Sequence, residues 1–325
     1  MQQNPKQTEG PKTKVRKVRI DSEQAGQRID NFLRRELPGV PKGRIYRILR
    51  RGEVRVNGGR VRAEYKLAEG DEVRVPPARI REEGAPPGDK QATAVAERVL
   101  YEDKRLLVID KPSGIAVHGG SGVSHGIVEL LRHARPELRD LSLAHRLDRE
   151  TSGCLVLTKR RSALRELHER FRDGKVEKNY LGLAVGDWQL GEQLIDEPLL
   201  VQNRKGGERH VIVSNEGKPA QTRVALSRKH GKYSLLQCSP VTGRTHQIRV
   251  HLEHYDHPLL GDERYGEGEQ NRAAKKLGLK RLFLHAQSIA FPDNSGNELH
   301  FTSPLADDLE QFLQRLAKNK NQGNR

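Results

Sequence analysis

The 325-residue chain has room for about two domains, and its 59 Lys and Arg against 43 Asp and Glu leave a formal charge of +16. A surplus that large points to a polyanion, nucleic acid being the commonest. Apolar runs such as Leu106 to Ile109 and Cys154 to Leu157 reach only about four residues where a membrane-spanning helix needs ~20. The opening Met1-Gln2-Gln3-Asn4-Pro5-Lys6 has no apolar core, so it is not a secretory signal. Cys154 and Cys238 are too few and too far apart for a disulfide framework or a zinc site, which points to a reduced, cytoplasmic protein.

Residues 1–18 hold Lys6, Lys12, Lys14, Arg16 and Lys17 among Gln, Thr, Gly and Pro, and read as a mobile basic tail. A small unit is expected over 19–76. Gln27 to Leu37 places Ile29, Phe32, Leu33 and Leu37 on one helical face, and Pro38-Gly39-Val40-Pro41 ends that helix. A second helix carries Ile45, Ile48 and Leu49. Val54-Arg55-Val56-Asn57-Gly58-Gly59 alternates apolar and polar residues up to an Asn-Gly pair, the mark of a hairpin turn. Gly70-Asp71 and a strand over Glu72 to Val75 complete the unit. Proline, glycine and charge without periodicity make 77–94 a linker.

The larger unit, 95–318, interleaves strands and helices. Leu106 to Ile109, Cys154 to Thr158, Tyr180 to Val185, Tyr233 to Ser239 and His300 to Thr302 read as strands. Ser162 is placed to cap a helix bearing Leu164, Leu167 and Phe171. Thr245 to Tyr255 aligns Ile248, Leu252 and Tyr255, and Ser303-Pro304 starts a last helix with Leu309, Phe312, Leu313 and Leu316. Gly266 to Lys280 reads as loop and 319–325 as a polar tail. The irregular element order argues against a doubly wound sheet and for an α+β fold with a mixed or antiparallel sheet.

Arg44, Arg47 and Arg51 recur at i, i+3, i+7 opposite the Ile45/Ile48/Leu49 face, with Lys42, Arg50 and Arg55 close by. A solvated face is the bland explanation. With almost no acid on the stripe, self-repulsion is relieved best by phosphate, so Arg44, Arg47, Arg51 and Arg55 are the expected nucleic-acid contacts. The histidines His246, His251, His254 and His257 fit no metal-ligand spacing. Gly120-Ser121-Gly122-Val123-Ser124-His125-Gly126 misses a dinucleotide fingerprint by one residue and reads as a flexible loop.

Ala144-His145-Arg146-Leu147-Asp148-Arg149-Glu150-Thr151-Ser152-Gly153 stands apart. An Asp between two arginines is ordinarily a surface ion pair. Here it sits in a loop entering a buried-type strand, and flanking guanidiniums favour a carboxylate there. A second polar cluster, Thr242-Gly243-Arg244-Thr245-His246-Gln247-Ile248-Arg249, opens a helix and offers a phosphate or carboxylate site.

His145-Arg146-Leu147-Asp148-x-x-Thr151-Ser152-Gly153 resembles the active-site signature of the RluA family of pseudouridine synthases. Lys111-Pro112-Ser113-Gly114, Lys178-Asn179-Tyr180, Gly243 to Arg249 and Leu284-His285-Ala286 match its other landmarks in order. The two-helix and hairpin unit, with Arg28-Ile29-Asp30 opening its first helix, resembles the S4-type RNA-binding domain. Together the likenesses cover about residues 20–315. They imply an S4-like domain followed by a larger mixed or antiparallel-sheet synthase domain. The implied activity is conversion of uridines in large-subunit ribosomal RNA, or its precursor particle, to pseudouridine, by a monomer without cofactor or metal. The resemblance makes Asp148 the essential carboxylate, acting on C1′, on the uracil ring or as a base in a glycal route. It has Tyr180 stack on the base and assist proton removal from C5, Arg244 pair with Asp148, Leu284 wall the pocket, and Arg146 fill the gap left by a flipped nucleotide. Two other readings compete. A non-enzymatic ribosome-assembly protein with an S4 module explains the charge but not the Asp148 signature, and a glycoside hydrolase wants a second carboxylate beyond the adjacent Glu150.

Overall fold

The computed structural model describes residues 14–37, 39–78, 86–119, 125–203 and 209–322, and the chain divides into two units between Pro86 and Pro87.

In the first unit, β1 (Arg16–Arg19), α1 (Ile29–Glu36), α2 (Lys42–Arg50), β2 (Arg55–Val56) and β3 (Glu72–Val75) form two helices on a three-stranded antiparallel sheet of order β1-β3-β2. Ile29, Phe32 and Leu33 of α1 and Ile45, Ile48 and Leu49 of α2 bury against Val56, Val73 and Val75. This is the apolar face that the 3.6-residue period marked. Asn57 (φ 49°) and Gly58 (φ 79°) both take left-handed backbone, as a two-residue primed turn requires. Val56 and Gly59 close the turn by exchanging backbone hydrogen bonds, and the longer ladder of β2 runs with β3. The expected basic tail is also shortened: Arg16–Arg19 pair with the other edge of β3, and Ile20 behind them is buried. Residues 1–13 of that tail lie outside the described residues.

The second unit opens with α3 (Asp89–Ala96), which occupies most of the later half of the expected linker. Ala92 and Val95 bury in the main core, a pattern of small residues that composition hid. Residues 79–85 are outside the described residues. Next come β4 (Val99–Glu102), β5 (Leu106–Lys111), α4 (Ile127–Ala134), β6 (Ser142–Leu143), β7 (Ser152–Thr158), α5 (Arg161–Arg172) and β8 (Glu177–Val185). They are followed by β9 (Gln193–Asp196), β10 (Leu199–Asn203), β11 (Arg209–Val213), β12 (Gln221–His230), β13 (Tyr233–Pro240) and α6 (Gln247–His254). The chain closes with α7 (Gly268–Lys276), β14 (Leu284–Pro292), β15 (Glu298–Thr302) and α8 (Asp307–Gln322).

Ten of these strands form one sheet, in the order β4-β5-β7-β14-β8-β13-β12-β9, with β15 on β14 and β6 on β7; β10 and β11 pair separately. Only β7 and β14 run parallel, so the sheet is mixed, in an α+β fold. Side chains of β8 alternate between two cores. Tyr180 and Ala184 face the cluster that holds α4 and α6, while Leu181, Leu183 and Val185 face the one that holds α7 and α8. The parallel pairing sets the site. Gly153 (φ 109°) lies opposite Ala286, and a Cβ there would come within 2.2 Å of the Ala286 carbonyl oxygen, so only glycine fits.

Three local expectations change. Gly268–Lys276 is helix rather than loop, held by Ala274 against Leu279 and Phe312. Arg160, not Ser162, occupies the N-cap of α5, leaving Ser162 in its first turn. α8 begins at Asp307 because Ser303 is engaged by the Asp110 carboxylate (2.9 Å), and it runs on through 319–322. Gly126 caps α4, its N–H and that of Gly119 both donating to Glu129, while residues 120–124 of the glycine stretch lie outside the described residues.

Candidate active site

The loop carrying Asp148 is fastened from below by the Lys111 to Gly114 segment. Lys111 is fully buried, and its Nζ donates to the carbonyls of Pro112 (2.9 Å), Arg149 (3.1 Å) and Thr151 (2.8 Å). Three acceptors match the three N–H groups of an ammonium, while burial pushes its pKa down to about 7. Ser113 Oγ donates to the Glu150 carbonyl (2.6 Å), and Gly114 exchanges two hydrogen bonds with Arg149. On the other side, His145 Nε2 accepts the Val156 N–H at 3.1 Å, and burial, aided by the charge of Lys178, holds that ring neutral. A loop so tied presents its carboxylate in one place.

Asp148 is half-buried and meets two side chains of α6 and its cap. Arg249 Nη1 donates to Asp148 Oδ2 at 3.4 Å, and His246 Nε2 lies 3.9 Å from the same oxygen. Arg249 is itself clamped. Its Nε and Nη2 donate to the two carboxylate oxygens of Asp262 at 2.7 and 2.8 Å, and its guanidinium lies 5.0 Å from the Tyr265 ring centroid. Asp262 Oδ1 also accepts the N–H groups of Arg264 and Tyr265. Burial works against both charges, but the pairing outweighs it, lowering the Asp262 pKa and raising that of Arg249. His246 adopts left-handed backbone (φ 54°) at the cap of α6, and its Nδ1 is 2.8 Å from the Tyr265 hydroxyl. Burial lowers its pKa to about 4, so at neutral pH the imidazole touches Asp148 as a neutral ring.

Arg244 is therefore not the arginine paired with Asp148. It sits in the turn before α6, and its Nε donates to the Pro219 carbonyl at 3.0 Å. Arg249, in the first turn of α6, directs its side chain back toward the helix start, as long helical side chains do, and reaches Asp148. The cluster Thr242 to Arg249 contained the right residue, but nothing local says which arginine the turn aims inward.

Asp148 lies where two hollows share a wall. One is a cavity of about 80 Å³ lined by Tyr180, Leu284, Lys178, Arg244 and Thr242. The other is an open cleft of about 1270 Å³ lined by Arg146, Arg149, Arg264, Lys280 and Arg281. Leu147, Asp148, His246 and Arg249 border both. Tyr180 is buried on β8, and burial raises its phenol pKa, so the hydroxyl stays protonated. Arg146 is exposed on the cleft side. Four of the expected residues thus gather around Asp148, while Arg44, Arg47, Arg51 and Arg55 belong to the first unit. The first three are exposed on one face of α2 and its end, and among the described residues none of the four meets a carboxylate.

Nothing in the sequence alone assigns a role to Lys111, Arg249, Asp262 or Lys178. Lys111, Lys178 and Arg249 lie inside the family's motifs, whereas Asp262 carries no such signal. Among the described residues no group of three His, Cys, Asp or Glu side chains is arranged to hold a metal ion. His251 and His257 instead bond to Thr222 with Glu197, and to the Val185 carbonyl.

Two family descriptions fit the chain: RNA pseudouridylate synthase over residues 105–254, and S4 domain over residues 27–73. The ribosomal large subunit pseudouridine synthase C of Escherichia coli O157:H7 is 50% identical over 315 residues, which is 95% of this chain and 98% of that protein. The protein of the same name from Salmonella typhimurium is 50% identical over 319 residues, covering 96% and 99%. Among solved structures, human RNA Pseudouridylate Synthase Domain Containing 4 superposes with a TM-score of 0.59 at 28% identity, over 70% of this chain and 96% of that one.

Proposed function

Because the chain belongs to the RNA pseudouridylate synthase family and carries an S4 domain ahead of the synthase domain, we propose that it isomerises uridines in large-subunit ribosomal RNA, with Asp148 as the essential carboxylate. The N1–C1′ bond breaks, the uracil turns over within the pocket, C5 bonds to C1′, and the C5 proton is exchanged for one on N1. Nothing is gained or lost overall, so the reaction calls for no cofactor.

One observation carries the reading: a carboxylate on the wall shared by an open, arginine-lined cleft of about 1270 Å³ and a small cavity lined by Tyr180 and Leu284, an arrangement that suits a nucleic-acid strand with one base flipped out. Arg249, clamped by Asp262, aims Asp148 from one side. Tyr180 and Leu284 supply the faces between which a base stacks, and the protonated phenol of Tyr180 can donate to the ring or pass on the C5 proton. Arg244 lines the same cavity without touching Asp148, and exposed Arg146 is available to fill the space a flipped nucleotide leaves. Arg44, Arg47, Arg51 and Arg55 of the S4 unit supply sequence-independent phosphate contacts. No described helix is long and apolar enough to cross a membrane. The proposal includes a monomer working in the cytoplasm on ribosomal RNA or its precursor particle.

The test is to incubate the purified protein with transcribed large-subunit ribosomal RNA and map pseudouridine. New pseudouridine at discrete positions supports the reading. RNA binding without isomerisation would favour an assembly protein, and release of free uracil would favour a hydrolase.

A further inference from the structure

Lys178 and Tyr180 stand two apart on β8 and so share one face of the sheet. Both line the cavity beside Asp148. The Lys178 side chain is half-buried, its Nζ donates to the Thr242 carbonyl at 3.3 Å, and it lies 6.0 Å from the Phe171 ring centroid. Among the described residues no carboxylate pairs with it. An ammonium has three N–H groups, and one weak hydrogen bond leaves two of them without a strong acceptor. Charges withdrawn from water are normally paired, so a cation left in this position awaits an anion. Burial brings its pKa down to about 8, which leaves the charge in place at neutral pH.

The anion is not a phosphate, because a phosphodiester in so small a cavity would press a second negative charge on Asp148. Uracil fits the requirement better. It enters neutral and becomes an anion only when the N1–C1′ bond breaks. A cation beside it then stabilises the transition state more than the ground state.

We infer that Lys178 is a further catalytic residue, donating a hydrogen bond to a carbonyl oxygen of the uracil as the base departs. The inference rests on the proposed reading of the Asp148 cavity as the uridine site. As N1 leaves with the bonding pair, negative charge spreads from N1 to O2 and O4. C1′ is taken by an Asp148 oxygen, or its electron deficit is relieved by transfer of the C2′ proton to Asp148. Lys178 keeps all its protons throughout. The charge is dispersed when C5 bonds to C1′ as the Asp148 oxygen leaves it, or as Asp148 returns the proton to C2′; the C5 proton is then released and N1 acquires one.

The test compares wild type, Lys178→Met and Lys178→Arg under single-turnover conditions on two transcripts of the same ribosomal RNA, one with uridine and one with 5-fluorouridine. Loss of the N-linked nucleoside is read by chromatography after digestion. Fluorine at C5 withdraws electrons, so the departing base carries its charge more easily and needs less help. Loss of one such donor is worth about 10²-fold or more in rate. Lys178→Met is therefore expected to slow the uridine transcript by about that factor and the fluorinated one markedly less, with RNA affinity nearly unchanged. Lys178→Arg should recover much of the loss. An equal loss on both transcripts, a loss that follows a lowered melting temperature, or no loss at all would overturn the assignment. Wild type inert on both transcripts, where Lys178 has not been touched, would instead refute the proposed function.

Discussion

Asp262→Asn probes the support behind the candidate catalytic carboxylate without touching it. In the folded protein one Asp262 oxygen takes the Arg249 Nε at 2.7 Å, and the other takes Nη2 at 2.8 Å and the N–H groups of Arg264 and Tyr265. An asparagine can keep the second set with its carbonyl, but its NH₂ then faces the Arg249 Nε, donor against donor. Removing one partner of a buried pair costs about 3–5 kcal/mol. Asp148 stays within 3.4 Å of the guanidinium, so the lower end, about 3 kcal/mol, is expected, or roughly 6–12 °C of melting temperature for a domain this size. Burial raises the Asp262 pKa, but its bonds to Arg249 and the backbone lower it further, to a net value below the ordinary 3.8. Its stabilisation is thus fully present above that pH and is lost as the pH falls through the lower folded value. The gap between wild-type and variant melting temperatures should be full at pH 7 and narrow below 3.8. Freed from its clamp, Arg249 should draw onto Asp148 and misdirect it, slowing single turnover by about 10²-fold with little change in RNA affinity. Equal melting at pH 7 together with an unchanged rate would refute the idea that Asp262 positions Arg249.

Tyr180→Phe keeps the buried ring but removes the hydroxyl; if the phenol handles the C5 proton, single turnover should slow on the order of 10²-fold with binding retained, whereas wild-type rates would leave the ring a packing role alone. Replacing Arg44, Arg47 and Arg51 together by Ala should flatten the log-affinity against log-salt slope for ribosomal RNA by up to about three units. An unchanged slope would mean that this exposed stripe does not touch phosphate.

What could be read from the sequence was local. The Asp148 signature is contiguous, the turn that opens α6 is a second contiguous motif, and the helices of the first unit follow the spacing of Ile29, Phe32, Leu33, Ile45 and Ile48. The family resemblance that these motifs carry implied an S4-like unit and a synthase unit with a mixed or antiparallel sheet, and the sheet is mixed. What escaped depended on distant partners. β1 is a run of basic residues that becomes a strand because β3 offers a free edge. α3 and α7 bury mainly alanines and a valine, too small a stripe to stand out from a polar background. The choice of Arg249 over Arg244 is made by Asp262 and by a contact between residues 101 apart, and no local pattern encodes it. Lys111 and Lys178 are hidden for a related reason: a lysine in sequence looks solvated, and only the fold shows which ones lose their water.

Whether the Asp148 carboxylate performs the chemistry is decided by single turnover of Asp148→Asn on transcribed large-subunit ribosomal RNA. The amide keeps the shape but can act neither as nucleophile nor as base, while the arginines proposed to contact phosphate lie in the first unit. No pseudouridine with affinity within a few-fold of wild type is the expected result, and measurable turnover by the Asn variant would contradict it.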